Sequence, residues 1–229
     1  MCGRFAQRTD AKRLAKEFKV TEVPEIEPRY NIAPTQNILG IRQAKDEREA
    51  VFLKWGLIPS WAKDASIGAK LINARSETVT EKPSFRDAFK KRRCIIPADG
   101  FYEWQRTGGR KQPFFFHICD DRPFGFAGLW DRWKSEDGEI LETCTILTTE
   151  ANEVLRPVHD RMPVILHTED YELWLDEDLR KGSLREELLR PFPASKMEGY
   201  PVSASINSPR NQGVELIERV TYTSSERTI

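Results

Sequence analysis

The stretch CIIPADGFYEWQRTGGRKQPFFFHIC, Cys94 to Cys119, decides how the fold is read. Short apolar and aromatic runs at 94–98, 101–106 and 113–119 are punctuated by Gly100 and by Gly108-Gly109. Runs of this length between glycine turns read as successive strands joined by hairpins. Working outward, residues 123–133 and 140–149 form two more strands around the turn Ser135-Glu136-Asp137-Gly138. Residues 37–43 and 50–57 form another pair around Lys45-Asp46-Glu47-Arg48, and 162–166 and 200–203 read as strands.

Helical periodicity is confined to short pieces. Thr9 or Asp10 caps a helix through 19, with Ala11, Leu14, Ala15 and Phe18 on one face. Residues 82–93 read as a helix with Pro83 early, Ser84 as cap and Phe85 and Phe89 on one side. Further helices are read at 150–156, ending at Pro157, at 168–175, capped by Thr168, and at 183–190, stopped by Pro191 and Pro193. Residues 23–34 carry three prolines and read as extended loop, and 59–70 as irregular with Trp61 displayed. Strands outnumber helices and come in hairpin runs, which defines an α+β chain with largely antiparallel sheets. No linker or repeat divides it, so one domain is expected over 1–219, with a loose Ser/Thr-rich tail at 220–229.

With 229 residues, 12 Phe and 6 Trp, the chain has material for a packed core. Basic and acidic residues number 36 each, which argues against a protein that coats nucleic acid nonspecifically but leaves room for a local basic cleft. The spacing of Cys2, Cys94, Cys119 and Cys144 fits no zinc site, and three histidines are too few for a His-rich metal centre. No metal and no cofactor are therefore expected. Cys94, Cys119 and Cys144 read as small buried hydrophobes in strands. No secretory or membrane-spanning run is found, so a cytoplasmic protein without disulfides or a membrane partner is expected.

The candidate chemistry begins at Met1-Cys2-Gly3-Arg4-Phe5. Removal of Met1 before a small residue would leave cysteine first, with its amine and thiol on adjacent carbons. These titrate near ~7.7–8.0 and ~8.5, so both are partly deprotonated near neutral pH. The amine condenses with an aldehyde to a Schiff base, and the thiolate then closes a thiazolidine. Alternatively the amine acts as base for its own thiol. The plain alternative is a frayed terminus.

Three other stretches stand out. In Leu71-Ile72-Asn73-Ala74-Arg75-Ser76-Glu77, Asn73 can donate and accept, and Arg75 offers a fork for phosphate or carboxylate; a strand-end turn is the competing reading. In Ala98-Asp99-Gly100-Phe101-Tyr102-Glu103-Trp104, a strand puts Phe101 and Glu103 on one face and Tyr102 and Trp104 on the other. An inward Glu103 would have a raised pKa and serve as a proton shuttle; an outward one would be inert. In Pro157-Val158-His159-Asp160-Arg161-Met162-Pro163, His159 sits on a loop with Arg161 nearby. His117 reads as structural and His167 as exposed.

Taken with Arg29-Tyr30-Asn31-Ile32-Ala33-Pro34 and Trp55-Gly56-Leu57-Ile58-Pro59, these stretches resemble the SRAP (SOS response-associated peptidase) family in its bacterial form, from Cys2 to about Ile217. The resemblance implies a barrel-like domain of curved, mainly antiparallel sheets with flanking helices. It implies a monomer that senses abasic sites in single-stranded DNA and crosslinks to the sugar aldehyde, with abasic-site lyase chemistry as a possible companion. Cys2 matches the crosslinking residue, Asn73 the residue orienting terminus and sugar, Glu103 the proton-transfer carboxylate and His159 the acid/base beside the sugar. Arg4, Arg75 and Arg161 match phosphate ligands. Trp61 matches a stacking wedge, although Ala62 follows where a well-known bacterial pattern has a second aromatic. Met-Cys-Gly also opens class II glutamine amidotransferases, and the family name suggests a thiol autoprotease. A DNA-binding module with a bystander Cys2 is the third alternative.

Overall fold

The computed structural model describes residues 2–107, 109–176 and 187–221. Its centre is a closed ring of five strands. Strand β3 (Asn37–Ala44) pairs with β4 (Glu47–Trp55) and β6 (Arg93–Ala98); β6 pairs with β9 (Phe124–Lys134), and β9 with β10 (Ile140–Glu150). The ring closes because β10 also runs parallel to β4, with Thr143 opposite Lys54 and Cys144 opposite Trp55. Alternation then sorts the side chains. Ile38, Leu53, Trp55, Cys94, Ile96, Phe126, Cys144 and Ile146 share one cluster, while Leu39, Ile41, Ile95, Ala127, Leu129 and Leu147 belong to another.

The second cluster is covered by helices. In α1 (Ala11–Phe18), Asp10 accepts the Arg13 N–H as N-cap, and Lys19 ends the helix at φ 52°. Its buried Leu14 and Phe18 pack there, with Phe18 stacked on Tyr171 of α3 (Tyr171–Leu175). Phe85, Ala88 and Phe89, around and within α2 (Arg86–Lys91), pack there as well.

A second sheet lies against the first cluster, in the order β13 (Met197–Pro201), β8 (Arg110–Ile118), β7 (Gly100–Thr107), β1 (Phe5–Gln7), β2 (Arg29–Ile32). Phe5, Phe101 and Phe116 join the first cluster; Ala6, Tyr102 and Phe115 face Val202, Ile206 and Leu216. The fold is α+β, strand-rich and barrel-centred, as the resemblance implied.

Several local expectations change. Strands β6 and β7 are not a hairpin: they belong to different sheets, and the chain crosses between them at Asp99. The Asp99 carboxylate accepts the N–H groups of Arg8 and Thr9 and the Thr9 hydroxyl, which fixes that corner. A Cβ on Gly100 would lie 2.1 Å from Phe115 Cζ and 2.8 Å from Phe116 O. Gly100→Ala is therefore expected to destabilise the protein by about 1–3 kcal/mol, through overpacking. An unchanged urea midpoint would show that the Phe115 ring yields freely.

Residues 29–32 form an edge strand, because Pro28 and Pro34 flank this piece rather than interrupt it. The expected helix at 82–93 shrinks to Arg86–Lys91 without a side-chain cap, and Arg93 starts β6 with its guanidinium on the carbonyls of Phe89, Lys90 and Trp174. No helix forms at 150–156. Asn152 diverts its side chain to Phe192 O and the Leu155 N–H, and turns follow up to Pro157. The 162–166 strand splits into β11 (Arg161–Pro163) on β10 and β12 (Ile165–Leu166) on β9, because it straddles the β9–β10 seam at Val164. Thr168 caps nothing; its hydroxyl turns to Glu17. Cys119 is exposed just past β8, and His167 is half-buried against Phe192. The helix read at 183–190 and the tail at 220–229 lie largely outside the described residues, although Val220 N–H still donates to Pro201 O. No helix among the described residues is long and apolar enough to cross a membrane.

Candidate active site

Residues 4–6 are tied down. Tyr102 N–H donates to Arg4 O (3.0 Å) and Asp99 N–H to Ala6 O (2.8 Å), and Phe5 stands opposite Phe101. The frayed-terminus alternative does not describe them. Cys2 is fully buried in the cluster that holds Trp55, Phe101 and Ile146. Burial pushes its thiol well above the usual range, and the Glu103 charge adds to this; the Arg4 N–H works the other way. With Met1 attached, Cys2 is therefore a neutral, desolvated thiol; the partly ionised pair expected above belongs to the chain without Met1.

Glu103 points inward with Phe101, while Tyr102 and Trp104 face the other side, as strand alternation requires. Tyr102 Oη donates to Tyr30 O (2.7 Å), and Trp104 Nε1 to Asn207 Oδ1 (2.8 Å). Glu103 is only 3 % exposed, and burial raises its carboxyl pKa; the nearby His159 opposes the rise. Such a group keeps its proton to higher pH than an exposed carboxyl and can pass it to a ligand.

A cavity of about 640 Å³ opens here, with Gly3, Arg4, Glu103, Trp104, His159 and Asp160 among its walls. His159 is held by its N–H to Leu155 O (3.0 Å), and its Nδ1 accepts the Arg161 N–H at 2.9 Å. That bond leaves the proton of the neutral ring on Nε2. Asp160 Oδ1 lies 3.0 Å from the same Nδ1, a contact that needs a proton there, so the two partners compete.

Asn73 starts β5 (Asn73–Arg75), which runs parallel to β10 with Asn73 opposite Ile146. Its Nδ2 donates to Ile146 O at 3.4 Å, and its buried Oδ1 has no hydrogen-bond partner among the described residues. An unmet buried acceptor costs about 1–3 kcal/mol, and a donor arriving with a ligand would satisfy it.

Arg75, Arg156 and Arg161 line a second cavity with Glu150, Ala151 and Asp160. The Arg161 fork is already occupied: Nη1 and Nη2 donate to Glu77 at 2.6 and 3.0 Å, and Nη2 also to Thr148 O at 2.6 Å. Burial disfavours the charged Glu77, but the Arg161 hydrogen bonds override it and hold the carboxyl below its usual range. Arg4 Nη1 is likewise engaged, with Asn31 Oδ1 at 2.5 Å and Ile206 O at 3.0 Å. Trp61 is 56 % exposed on a loop pinned by Ser60 N–H to Asp131 and by Trp133 Nε1 to Ala62 O, and it lines neither cavity.

The structure thus brings Arg4, Glu103 and His159 around one cavity beside Cys2, and Arg75 and Arg161 around its neighbour. Sequence reasoning passed over Arg156, which carries no mark beyond its place before Pro157. It also passed over Asn31, a buried clamp whose Nδ2 reaches Ser208 O and Asn211 O, each at 2.9 Å. Its burial inside a strand flanked by prolines was the available signal. Among the described residues no three His, Cys, Asp or Glu side chains gather as metal ligands would.

The chain is thus a barrel-centred α+β protein whose buried second residue lies within the field of a buried carboxyl. The family described as SOS response associated peptidase (SRAP) matches residues 1–209, and this chain is a member of it. It is 46% identical over 222 residues to abasic site processing protein YoqW of Bacillus subtilis (strain 168), covering 95% of this chain and 99% of that one. It is 33% identical over 228 residues to abasic site processing protein YedK of Escherichia coli (strain K12), covering 96% and 100%. A crystal structure of a protein from Bacteroides thetaiotaomicron superposes with a TM-score of 0.87 at 29% identity, covering 96% of this chain and all of that one.

Proposed function

We propose that this protein captures abasic sites in single-stranded DNA by covalent attachment of the sugar aldehyde to Cys2. The carrying observation is the pairing of Arg4-Phe5-Ala6 against β7, which holds Cys2 within the field of the buried Glu103. The names of the relatives, abasic site processing proteins, support the substrate class.

Loss of Met1 frees the Cys2 amine. The amine adds to the aldehyde carbon of the ring-opened sugar, and the resulting carbinolamine loses water as protonated Glu103 donates to the departing hydroxyl. The thiol then adds to the imine carbon, its proton passing to the nitrogen by way of the Glu103 carboxylate. The sum is aldehyde plus aminothiol giving thiazolidine plus one water. His159, on the cavity wall, supplies from Nε2–H the proton that assists ring opening. Asn73 Oδ1 accepts from the amine and orients it. β-Elimination from the Schiff base would cleave the strand; ring closure removes the imine and stops that route. No cofactor enters these steps, and one chain carries every residue used.

An abasic site presents no base, so recognition rests on phosphate contacts and shape, and binding should be salt-dependent and sequence-independent. Glu77 competes with phosphate for Arg161. Glu77→Gln is expected to tighten noncovalent binding and to steepen the log–log salt dependence by about 0.7, one added contact on a single strand. Weaker binding would show instead that Glu77 aims Arg161 at the phosphate. The function itself is tested on a denaturing gel with one-lesion and intact-base oligonucleotides. A slow DNA–protein band with the lesion alone is expected; no band from protein whose mass lacks Met1 contradicts the reading.

A further inference from the structure

Many of the chain's arginines are matched by acids: Arg8 by Asp121, Arg42 by Glu49 and Glu142, Arg92 by Asp131, Arg161 by Glu77. Arg106 and Lys111 are different. They stand directly opposite each other across the β7–β8 hairpin, and both are exposed. Among the described residues neither makes a salt bridge or a side-chain hydrogen bond. Like charges directly opposite on antiparallel strands are destabilising, and no acidic side chain among the described residues pairs with either.

Their position supplies a reason. Both line the reactive cavity, on whose walls Gly3, Glu103 and His159 also lie. The cavity of Arg75, Arg156 and Arg161 adjoins it at Asp160, which lines both. Gln105 Nε2 donates to Pro157 O at 3.1 Å and ties the hairpin to the loop bearing His159 and Asp160. Two cationic groups are therefore held apart, one on each side of the His159-Asp160 turn. A free phosphate or nucleotide needs only one of them; a strand crossing the turn needs both.

We propose that Arg106 and Lys111 bind the DNA backbone on one flank of the abasic sugar, and that Arg75 and Arg156 bind it on the other. The inference rests on the abasic-site reading above and adds a division of the strand between the hairpin and the arginine cavity. It is tested with the full chain and oligonucleotides bearing a tetrahydrofuran abasic analogue, which has no aldehyde and so separates binding from crosslinking. The analogue is placed centrally, at the 5′ end or at the 3′ end.

Arg106→Gln with Lys111→Gln is expected to weaken binding to the central site and to one of the two end-placed sites, leaving the other unchanged. Its salt slope on the central site should fall by about 1.4, at about 0.7 for each lost contact. Arg75→Gln with Arg156→Gln should show the opposite end preference. Lys12→Gln with Lys16→Gln, on the exposed side of α1, removes the same charge as a control and should change neither. Equal loss on both ends from the hairpin pair, a loss matched by the control, or no loss overturns the proposal. So does a wild-type protein that does not bind the analogue. Binding of the analogue without a crosslink to a true abasic site would instead leave the flank assignment standing and reject the covalent reading.

Discussion

Cys2→Ala is expected to abolish the heat-stable DNA adduct while leaving affinity for an abasic analogue within error of wild type. The thiol is the only group of residue 2 lost, and it is fully buried rather than part of the cavity wall. The cost to folding should be on the order of 1 kcal/mol, from a sulfur-sized gap in a packed cluster. The variant keeps an N-terminal amine once Met1 is gone, so it should still form a Schiff base. Borohydride should trap that imine as a reduced adduct, whereas the untreated sample should show none. A heat-stable, unreduced adduct from Cys2→Ala would place the chemistry on another residue. Loss of analogue binding would mean that Cys2 serves the fold of the cleft rather than the reaction.

Glu103→Gln should have the second-largest effect and carries two signs at once. Removing a positioned proton carrier is expected to slow adduct formation by roughly 10²–10⁴-fold. The same change should make the protein more stable above neutral pH. Burial raises the Glu103 pKa in the folded state, so the folded protein binds its proton more tightly than the unfolded chain. Stability therefore falls as pH rises from the ordinary carboxylate range through the folded pKa, and stays lower beyond it. Glutamine cannot ionise and escapes this loss. The melting temperature of Glu103→Gln should exceed that of wild type at pH 8, and the gap should close as the pH falls toward 4. A variant less stable than wild type at both pH values would show that the carboxylate is a net structural asset. Unchanged adduct kinetics would remove Glu103 from the mechanism.

The inward turn of Glu103 was legible because alternation along one strand is local: Phe101 and Glu103 must share a face once 100–107 is extended. The same holds for α1, whose cap and apolar stripe lie within ten residues of each other. The closure of the barrel was not legible. It depends on β4 running parallel to β10, a contact between positions near 55 and 144 that no local pattern marks. The change of sheet at Asp99 was hidden for a related reason. Gly100 looks like a hairpin turn, and only the packing of Phe115 and Phe116 against it shows that the close approach, not a reversal, requires glycine. At the site, residue types were readable but their engagement was not. Arg161 reads as a phosphate ligand, but nothing in the sequence shows that Glu77 occupies its fork in the free protein. Trp61 is displayed as expected, yet on a loop that lines neither cavity. Sequence spacing also gave no hint that Cys2 would be desolvated, because burial of a terminus is decided by the partner strand.

In the proposed reaction the bond to DNA forms at the amine and sulfur of Cys2 together. It is tested most directly by mass spectrometry of the peptide released by protease and nuclease from a purified adduct, with borohydride and thiol-alkylation controls. The expected product is a peptide beginning at Cys2, without Met1, heavier by the sugar remnant less one water. It should gain no hydrogen with borohydride and accept no alkyl group at sulfur. A remnant on any other residue, a retained Met1, or a Cys2 adduct that borohydride reduces or whose thiol alkylates would contradict it.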